Sequence, residues 1–462
     1  MVDQRLKNLR GPARRRFLKF TAAAGAVFAL DRAEVLNIVS DTAGSAMAEE
    51  GACSATTNHS IHIVAGNGGF AWFQLLWPHN AVAAANNDNF AFHANGQAMT
   101  ADDTDKPLSY SPETPWTSLD RTKRISAFMA GNNETHTSQP TSAATLGGGT
   151  SMLAAAATLQ NQLPSLLPVI GITPFNFGNA PGAPAVTSVG NADGMVELFN
   201  SASSQALLAI ESDADLYESH YKAFLSLNRA SARPTFARQL RITKASANFL
   251  GKNLAEWLKP TEADFTRYGT PPGTPNKLRE LAKALITSTK AFKHGLTNSV
   301  IIPALRDDPH GAFGNMGTLQ STVETLGRIL DATMDDLMAV DDPACTNKKL
   351  ADTTVITIHG DTPKNPLNRN NWPDGTPGNS NWIYVYGAGF TKTGWFGGIQ
   401  ADGTVDGFDP KTGDTLAGAG VGNTAQAAGA AVAFAIAQGD LTRVKDIRDV
   451  PSIAGIVNEQ LM

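Results

Sequence analysis

The length, composition and charge of the chain describe a large globular protein. It has 462 residues, of which 42% are hydrophobic and 17% are charged, and its formal net charge at pH 7 is −5. These values exclude a disordered chain. They also argue against nucleic-acid binding, because no basic run follows the N-terminus and neutralising phosphates needs clustered Lys and Arg. The length allows two ordinary domains or one large α/β domain.

The first 48 residues have the pattern of a twin-arginine export signal. An arginine pair precedes Phe-Leu-Lys, an apolar run too short to span a bilayer follows (Phe20 to Leu30), and Ala46-Met47-Ala48 supplies a cleavage site. A basic amphipathic helix is the alternative interpretation. The signal residues are Arg14, Arg15, Phe17, Leu18 and Lys19. We therefore expect a periplasmic or secreted protein that meets the twin-arginine translocase during export, keeps no permanent membrane anchor and folds as one domain over residues 49–462.

The chain contains two cysteines, which fits an oxidising compartment. Cys53 and Cys345 each lie the same distance upstream of a strand-like run, "IHIVAG" and "TTVITI" respectively. If these two strands are parallel neighbours, both cysteines lie at the amino edge of the sheet. We predict a disulfide between them, and two buried thiols are the alternative.

The remaining chain alternates short apolar runs with helical periodicity, which predicts an α/β fold with a mainly parallel sheet and helices on both faces. A mostly helical, charged segment from about residue 194 to 292 is interpreted as an insertion or cap. The predicted strands are Ile61–Ala65, Ile125–Met129, Leu167–Ile172, Val300–Leu305, Val355–Ile358 and Ile383–Tyr386, and the two clearest helices are Thr318–Val340 and Ala425–Gly439.

Polar clusters follow several of these strands. Asp308 and His310 come after one, and His359 and Asp361 come after another. Since parallel strands end at the same edge of a sheet, these groups are expected there together. Carboxylate and imidazole are the ligands of hydrolytic metal ions, so the four residues are candidate ligands of one divalent metal. The alternative is that the histidines hydrogen-bond loop backbone and the aspartates cap turns.

Several short islands of the sequence occur in a recognisable order. They are the signal, the glycine turn Gly66-Asn67-Gly68-Gly69, Thr135-His136, Asp308-Pro309-His310, the "GDTP…NNWP" segment and "YVYGAGFTKTGWFGG". Together they resemble a family of uncharacterised, twin-arginine-exported bacterial proteins that is sulfatase-like and belongs to the alkaline phosphatase superfamily. The resemblance implies an alkaline-phosphatase/sulfatase-like α/β fold with a metal-assisted phosphate- or sulfate-ester hydrolase ancestry. Asp308 and His310 match the family's Asp-x-His, and His136 matches its Ser-His.

The departures from the family pattern fall on its chemistry. The glycine turn holds Asn67 where the family usually has an aspartate, and the family's "DHWP" is here "NNWP" with Asn370 and Asn371. An amide cannot offset the charge of a divalent ion. The family's "GEFGRTP" becomes "HGDTP", which removes an arginine suited to bidentate oxyanion binding.

Two functional hypotheses follow from these departures. The first is an exported, non-catalytic protein whose metal site is incomplete, and the second is a divergent metal-dependent hydrolase of phosphate or sulfate esters. In both, the candidate substrate-binding residues are His136, Asn67, Asn370 and Asn371.

Overall fold

An eight-stranded mixed sheet with helices on both faces forms the centre of the protein. The structure, a computed structural model, describes residues 56–64, 70, 74–75, 99–100, 109–110, 114–116, 119, 125–129, 145–161, 163, 165–173, 175–200, 253–305, 315–360, 381–399, 405–416 and 422–458. The strands of the sheet are β1 (His59–Val64), β2 (Ile125–Met129), β3 (Leu167–Ile172), β4 (Thr187–Val189), β5 (Thr297–Pro303), β6 (Thr354–His359), β7 (Trp382–Tyr386) and β8 (Gly394–Phe396).

The described part of the chain contains eight α-helices beside the sheet. They are α1 (Met152–Gln160), α2 (Ala192–Leu198), α3 (Leu254–Leu258), α4 (Glu262–Arg267), α5 (Asn276–Lys293), α6 (Met316–Ala339), α7 (Gly422–Ile436) and α8 (Leu441–Ile447). Small hairpins join Met99–Thr100 to Ser109–Tyr110, Thr145–Gly147 to Thr150–Ser151, and Asp341–Asp342 to Cys345–Lys349. A separate three-stranded sheet contains Gly398–Ile399, Val405–Phe408 and Thr415–Leu416. None of the helices in the described part of the chain is both long and apolar enough to cross a membrane.

The strand order is β8-β2-β7-β6-β1-β5-β3-β4. Strands β6, β1, β5, β3 and β4 are parallel to their neighbours in this row, whereas β7 is antiparallel to both β6 and β2. The expected α/β class and mainly parallel sheet are confirmed, with β7 as the strand that makes the sheet mixed. Because β7 reverses direction between them, β2 and β6 run the same way.

The two faces of the sheet carry different helices. Ile61 and Ile356 belong to the core formed with α5 and α6, which we call the α5/α6 face. Val64 and Val355 belong to the core formed with the alanine-rich helices α1 and α7, the α1/α7 face. Successive residues of a strand point to opposite faces, so His62, Thr357 and His359 share the α1/α7 face.

Several elements differ from their predicted bounds by only a few residues. β2 and β3 have the predicted bounds, β1 and β5 begin and end earlier, and α7 is shifted toward the N-terminus. Within the segment predicted as an insertion, the described helices α3, α4 and α5 contribute to the same core as the sheet. In particular, α5 is one of the helices that cover the α5/α6 face.

Polar side chains secure the amino edge of the sheet. Gln160, at the end of α1, donates to Asn58 O at 2.7 Å, Ser60 Oγ at 3.1 Å and Asn298 O at 3.3 Å. Asn58 in turn donates through its side chain to Ala435 O at 2.7 Å. These bonds place the carboxyl ends of α1 and α7 at the amino edge. Since a 15-residue helix is about 22 Å long and a six-residue strand about 20 Å, α7 begins at the opposite, carboxyl edge.

A buried acid and a histidine lie on the same amino edge. His59 Nε2 is 3.7 Å from Asp342 Oδ1, and the His59 ring stacks on Phe292 with ring centroids 5.0 Å apart. Burial acts to raise the pKa of Asp342, but the neighbouring His59, with further contributions from Thr353 and Ala344, outweighs it, so the pKa is lowered from its ordinary value.

The predicted disulfide has one partner in this region. Cys345 is 1% exposed, pairs with Asp342 in the short hairpin and is not a free thiol. The strands β1 and β6 are parallel neighbours, as the disulfide prediction assumed. Cys53 lies outside the described residues, so its pairing with Cys345 stays a prediction.

Candidate functional site

The carboxyl edge of the sheet collects the polar segments that the sequence singled out. Strands β1, β2, β5 and β6 all end there, and β7 begins there. The segments that carry the candidates of both hypotheses therefore leave or enter the sheet at this one edge. The order β2-β7-β6-β1-β5 also makes these five strands contiguous. In α/β folds, ligands bind in the crevice outside the carboxyl ends of the strands.

Most of the candidate side chains lie beyond the part of the chain that the structure describes. These are the metal candidates Asp308, His310 and Asp361, the substrate-binding candidates Asn67, His136, Asn370 and Asn371, and the signal residues Arg14, Arg15, Phe17, Leu18 and Lys19. Of the metal and substrate-binding candidates, only His359 lies within the described residues. In the described ranges no three His, Cys, Asp or Glu side chains group closely enough to hold a metal.

His359, the last residue of β6, is joined to β1 by a buried hydrogen-bond chain. Its Nε2 is 2.9 Å from Thr357 Oγ1, and the same hydroxyl is 2.7 Å from His62 Nδ1. Thr357 and His62 are register partners across β6 and β1. All three side chains are 0% exposed, and the two imidazole rings stand edge to face with centroids 6.3 Å apart. These two hydrogen bonds fix the orientation of the His359 ring at the carboxyl edge.

The surroundings of His62 within this hydrogen-bond chain keep its imidazole uncharged. Burial lowers the pKa of His62 well below its ordinary value, and the nearby His359 ring lowers it further. His62 Nε2 is a buried polar atom that reaches no hydrogen-bond partner among the described residues. A protonated His62 would place a buried positive charge inside the sheet, so the neutral imidazole is the stable form.

Two more buried polar groups lie at the start of β7. Asn381 Oδ1 accepts from the backbone N–H of Trp382 at 2.8 Å, but Asn381 Nδ2 meets no acceptor in the described part of the structure. The same is true of Trp382 Nε1. Both side chains are 0% exposed. Asn381 lies two positions before Ile383, which belongs to the α1/α7 core and pairs with His359, so Asn381 and His359 share a face.

Gly360 continues β6 beyond His359 and approaches the Trp382 ring closely. Its N–H donates to Trp382 O at 2.9 Å, and a Cβ at this position would collide with the indole. Glycine is therefore required here by the close approach of the ring. The consequence is that β6 and β7 stay paired up to the point where the "GDTP" segment leaves the sheet.

A pocket of about 210 Å³ opens at the same edge near the ends of β3 and β5. Its apolar wall includes Ile172, Leu281 and Leu305, and its polar wall includes Asn191, Lys277 and Glu280. Leu305 directly precedes the segment that carries Asp308 and His310. The pocket therefore places a concave, partly apolar surface beside the departure point of the candidate metal ligands.

Sequence reasoning missed His62 and Thr357. A usable signal was present, because both "IHI" and "ITI" place one polar residue between two apolar residues in strands buried on both faces. Two such interruptions in neighbouring parallel strands indicate a polar pair on one face.

Comparison of the chain with protein-family models, with curated proteins and with solved structures gives no match.

Proposed function

We propose that the protein is exported by the twin-arginine pathway and binds a ligand at the carboxyl edge of its sheet without hydrolysing esters. The scaffold is proposed to be alkaline-phosphatase/sulfatase-like, with a metal set that is no longer complete. One observation carries the proposal: at the ends of β1 and β6 and the start of β7, the described polar side chains are a buried imidazole pair, a hydroxyl, an indole and an amide, and none of them is a carboxylate. Such groups recognise a ligand by hydrogen bonds, and they do not offset the charge of a divalent ion.

A metal-dependent ester hydrolase is the second candidate. It is favoured by the sheet order, because β5 and β6 flank β1 and end at neighbouring points of one edge. His359 ends β6, and Asp308, His310 and Asp361 follow these two strands in the sequence. Two carboxylates and two imidazoles would compensate a +2 ion, which supplies hydroxide by lowering the pKa of bound water toward about 7. Four protein ligands leave no open position for that water unless one of them stays outside the coordination sphere.

The deciding experiment uses mature protein purified from the periplasm. We would measure metal content, hydrolysis of phosphate and sulfate esters, and small molecules released on denaturation. The variants are His310→Ala and His359→Ala, with His294→Ala as a matched imidazole change at the end of α5, away from the edge. We expect no stoichiometric metal, no ester turnover, and a released small molecule that is lost in His359→Ala and kept in His294→Ala.

Stoichiometric metal that disappears in both edge variants, together with ester turnover in the wild type, would establish the hydrolase instead. Absence of metal, turnover and released ligand would contradict both candidates.

The proposed export by the twin-arginine pathway has its own test. Replacing Arg14 and Arg15 with Lys should leave the precursor in the cytoplasm, because the pathway reads the guanidinium pair and not merely positive charge.

A further inference from the structure

The pocket at the ends of β3 and β5 lies on the opposite face of the sheet from His359 and Asn381. It is enclosed by the beginnings of α2 and α5, and both helices belong to the core of the α5/α6 face. His359 and Asn381 share the α1/α7 face. An ion pair joins the two helices that enclose the pocket, since Lys283 Nζ on α5 donates to Asp193 Oδ2 on α2 at 2.9 Å. The pocket is therefore a cavity distinct from the imidazole and amide groups of the proposed function.

The apolar wall of the pocket is deeply buried, and small side chains leave its space open. Ile172, Leu281 and Leu305 line this wall, and each is at most 3% exposed. Ala192 and Ala284, one on each helix, also line the pocket, and their methyl groups leave the volume of about 210 Å³ unfilled. An apolar cavity of about 150 Å³ holds one benzene molecule. The pocket therefore has room for a branched aliphatic side chain together with the head group that carries it.

The polar wall contains one positive and one negative side chain. Lys277 and Glu280 are three positions apart on α5, so they are neighbours on one side of the helix. Glu280 Oε1 accepts from Lys283 at 3.1 Å, and a carboxylate has further lone pairs for a second donor. Asn191 accepts from Gly194 N at 2.8 Å through its carbonyl oxygen, which leaves its NH₂ group as a donor. The polar wall can thus bind both a carboxylate and an ammonium group.

We propose that this pocket binds a small zwitterion with an apolar body, of the class of the aliphatic α-amino acids. The carboxylate of the ligand lies at Lys277 and Asn191, and its ammonium group lies at Glu280. Its side chain enters the space beside Ala284. Each charge of the ligand then meets an opposite charge, so that none is left unpaired in a partly enclosed site. A phosphate or sulfate ester would place its negative head beside Glu280, and this repulsion disfavours it. The proposal goes beyond the proposed function, which concerns groups on the other face.

Isothermal titration calorimetry of the mature, dialysed protein with L-leucine tests the proposal. Three matched probes each lack one feature of leucine: isocaproate lacks the ammonium group, leucinamide lacks the carboxylate, and glycine lacks the side chain. We expect leucine to bind and each of the three probes to bind at least about tenfold more weakly, because each loses a charged hydrogen bond or the apolar contact. A wild type that does not bind leucine, or that binds isocaproate as tightly, would overturn the proposal.

Variants of α5 separate the charges from the cavity. Glu280→Gln should remove the preference for leucine over isocaproate, and Lys277→Gln should remove the preference over leucinamide. Lys293→Gln, at the exposed far end of the helix, should change neither preference. Ala284→Leu fills the cavity, so it should abolish leucine binding without lowering the Tm. Ala282→Leu, buried on the same helix but outside the pocket lining, should lower the Tm by overpacking.

His359→Ala distinguishes this proposal from the proposed function. It should keep the affinity for leucine, because His359 lies on the other face of the sheet. Leucine binding that is lost in His359→Ala, or that survives in folded Ala284→Leu, would contradict the site assigned here. If Ala284→Leu does not fold, the probe preferences of Glu280→Gln and Lys277→Gln decide. A wild type that releases no co-purifying molecule contradicts the proposed function and leaves the leucine result unaffected.

Discussion

At the amino edge of the sheet, the buried amide of Gln160 donates to three oxygens, whereas at the carboxyl edge the buried amide of Asn381 donates to none of the described groups. Arg443 adds to the first edge by donating to Thr56 O at 2.6 Å and Leu159 O at 2.8 Å. The second edge keeps the Trp382 indole N–H and His62 Nε2 buried without a described partner.

This difference holds for the two amides and not for the two edges as wholes. The amino edge also has buried polar atoms without a partner among the described residues, namely Thr57 Oγ1, Thr354 Oγ1, Asp342 Oδ2 and both ring nitrogens of His59. A side chain that bonds several backbone groups fixes the ends of helices and strands, and its loss is expected to lower the free energy of unfolding. A buried amide whose N–H groups have no described acceptor lowers stability, which is the pattern found where a group is kept ready for a ligand.

The largest expected effect at the amino edge is loss of the predicted Cys53–Cys345 disulfide. Replacing both cysteines with Ser should lower the free energy of unfolding by up to about 4–5 kcal/mol, because the bond closes a very long loop. Denaturant unfolding measures this loss by comparing the exported double-serine variant with the oxidised and with the reduced wild-type protein. Two thiols that titrate in unfolded, non-reduced protein would rule the disulfide out.

The next effect comes from Asp342, the partner of His59. Asp342→Asn should lower the free energy of unfolding by about 2–3 kcal/mol at pH 7, because it removes one member of a buried pair. The matched control is Asp341→Asn. That neighbouring carboxylate is 72% exposed and pairs with Lys349, so its loss should cost no more than about 0.5 kcal/mol.

The pH dependence of the Asp342 effect has a defined sign. Its folded-state pKa is lowered, so the stability that it contributes is present above the unfolded pKa and is lost as the pH falls through the folded pKa. The difference between wild type and Asp342→Asn should therefore begin to narrow below about pH 5 and continue to narrow toward pH 3. A difference that widens with acid would contradict the assignment of the shift.

Gln160 gives a third, smaller effect. Gln160→Met keeps the length of the side chain but leaves Asn58 O, Ser60 and Asn298 O with one partner fewer, which should cost about 2 kcal/mol. Gln320→Met is the control, because Gln320 lies on α6 and donates only to Glu324 at 3.2 Å in the described structure. If both variants lowered the free energy of unfolding equally, the hydrogen bonds of Gln160 would contribute nothing to stability.

The smallest effect compares two buried tryptophans, one bonded and one not. Trp116 Nε1 donates to Leu330 O at 2.9 Å, whereas Trp382 Nε1 has no described acceptor, and both side chains are at most 1% exposed. Trp→Phe removes the same volume from each. We expect the loss at Trp116 to exceed that at Trp382 by about 1 kcal/mol. If Trp382→Phe cost the more, the carboxyl edge would be contributing to stability after all.

The sequence predicted strand positions well because apolar runs bounded by polar turns mark them directly, as at Ile125–Met129 and Leu167–Ile172. It did not predict the direction of β7, because an apolar run such as "WIYVY" reads the same in a parallel and an antiparallel strand. His359 was identified from its position at a strand end. His62 was not, because its role depends on the register that places it beside Thr357, and register is a property of the assembled sheet.

The reversed direction of β7 also bears on how this protein can change through evolution. Gly360 and Trp382 are hydrogen-bonded to each other, so the chain that connects β6 to β7 starts and finishes at one point of the carboxyl edge. The entropy of closing such a connection rises only slowly with length, by about 0.6 kcal/mol for each doubling. Insertions, deletions and exchanges between residues 361 and 380 can therefore accumulate without altering the pairing of the two strands. The position that carries Asp361, Asn370 and Asn371 is thus one where new specificities can be acquired while the sheet is inherited unchanged.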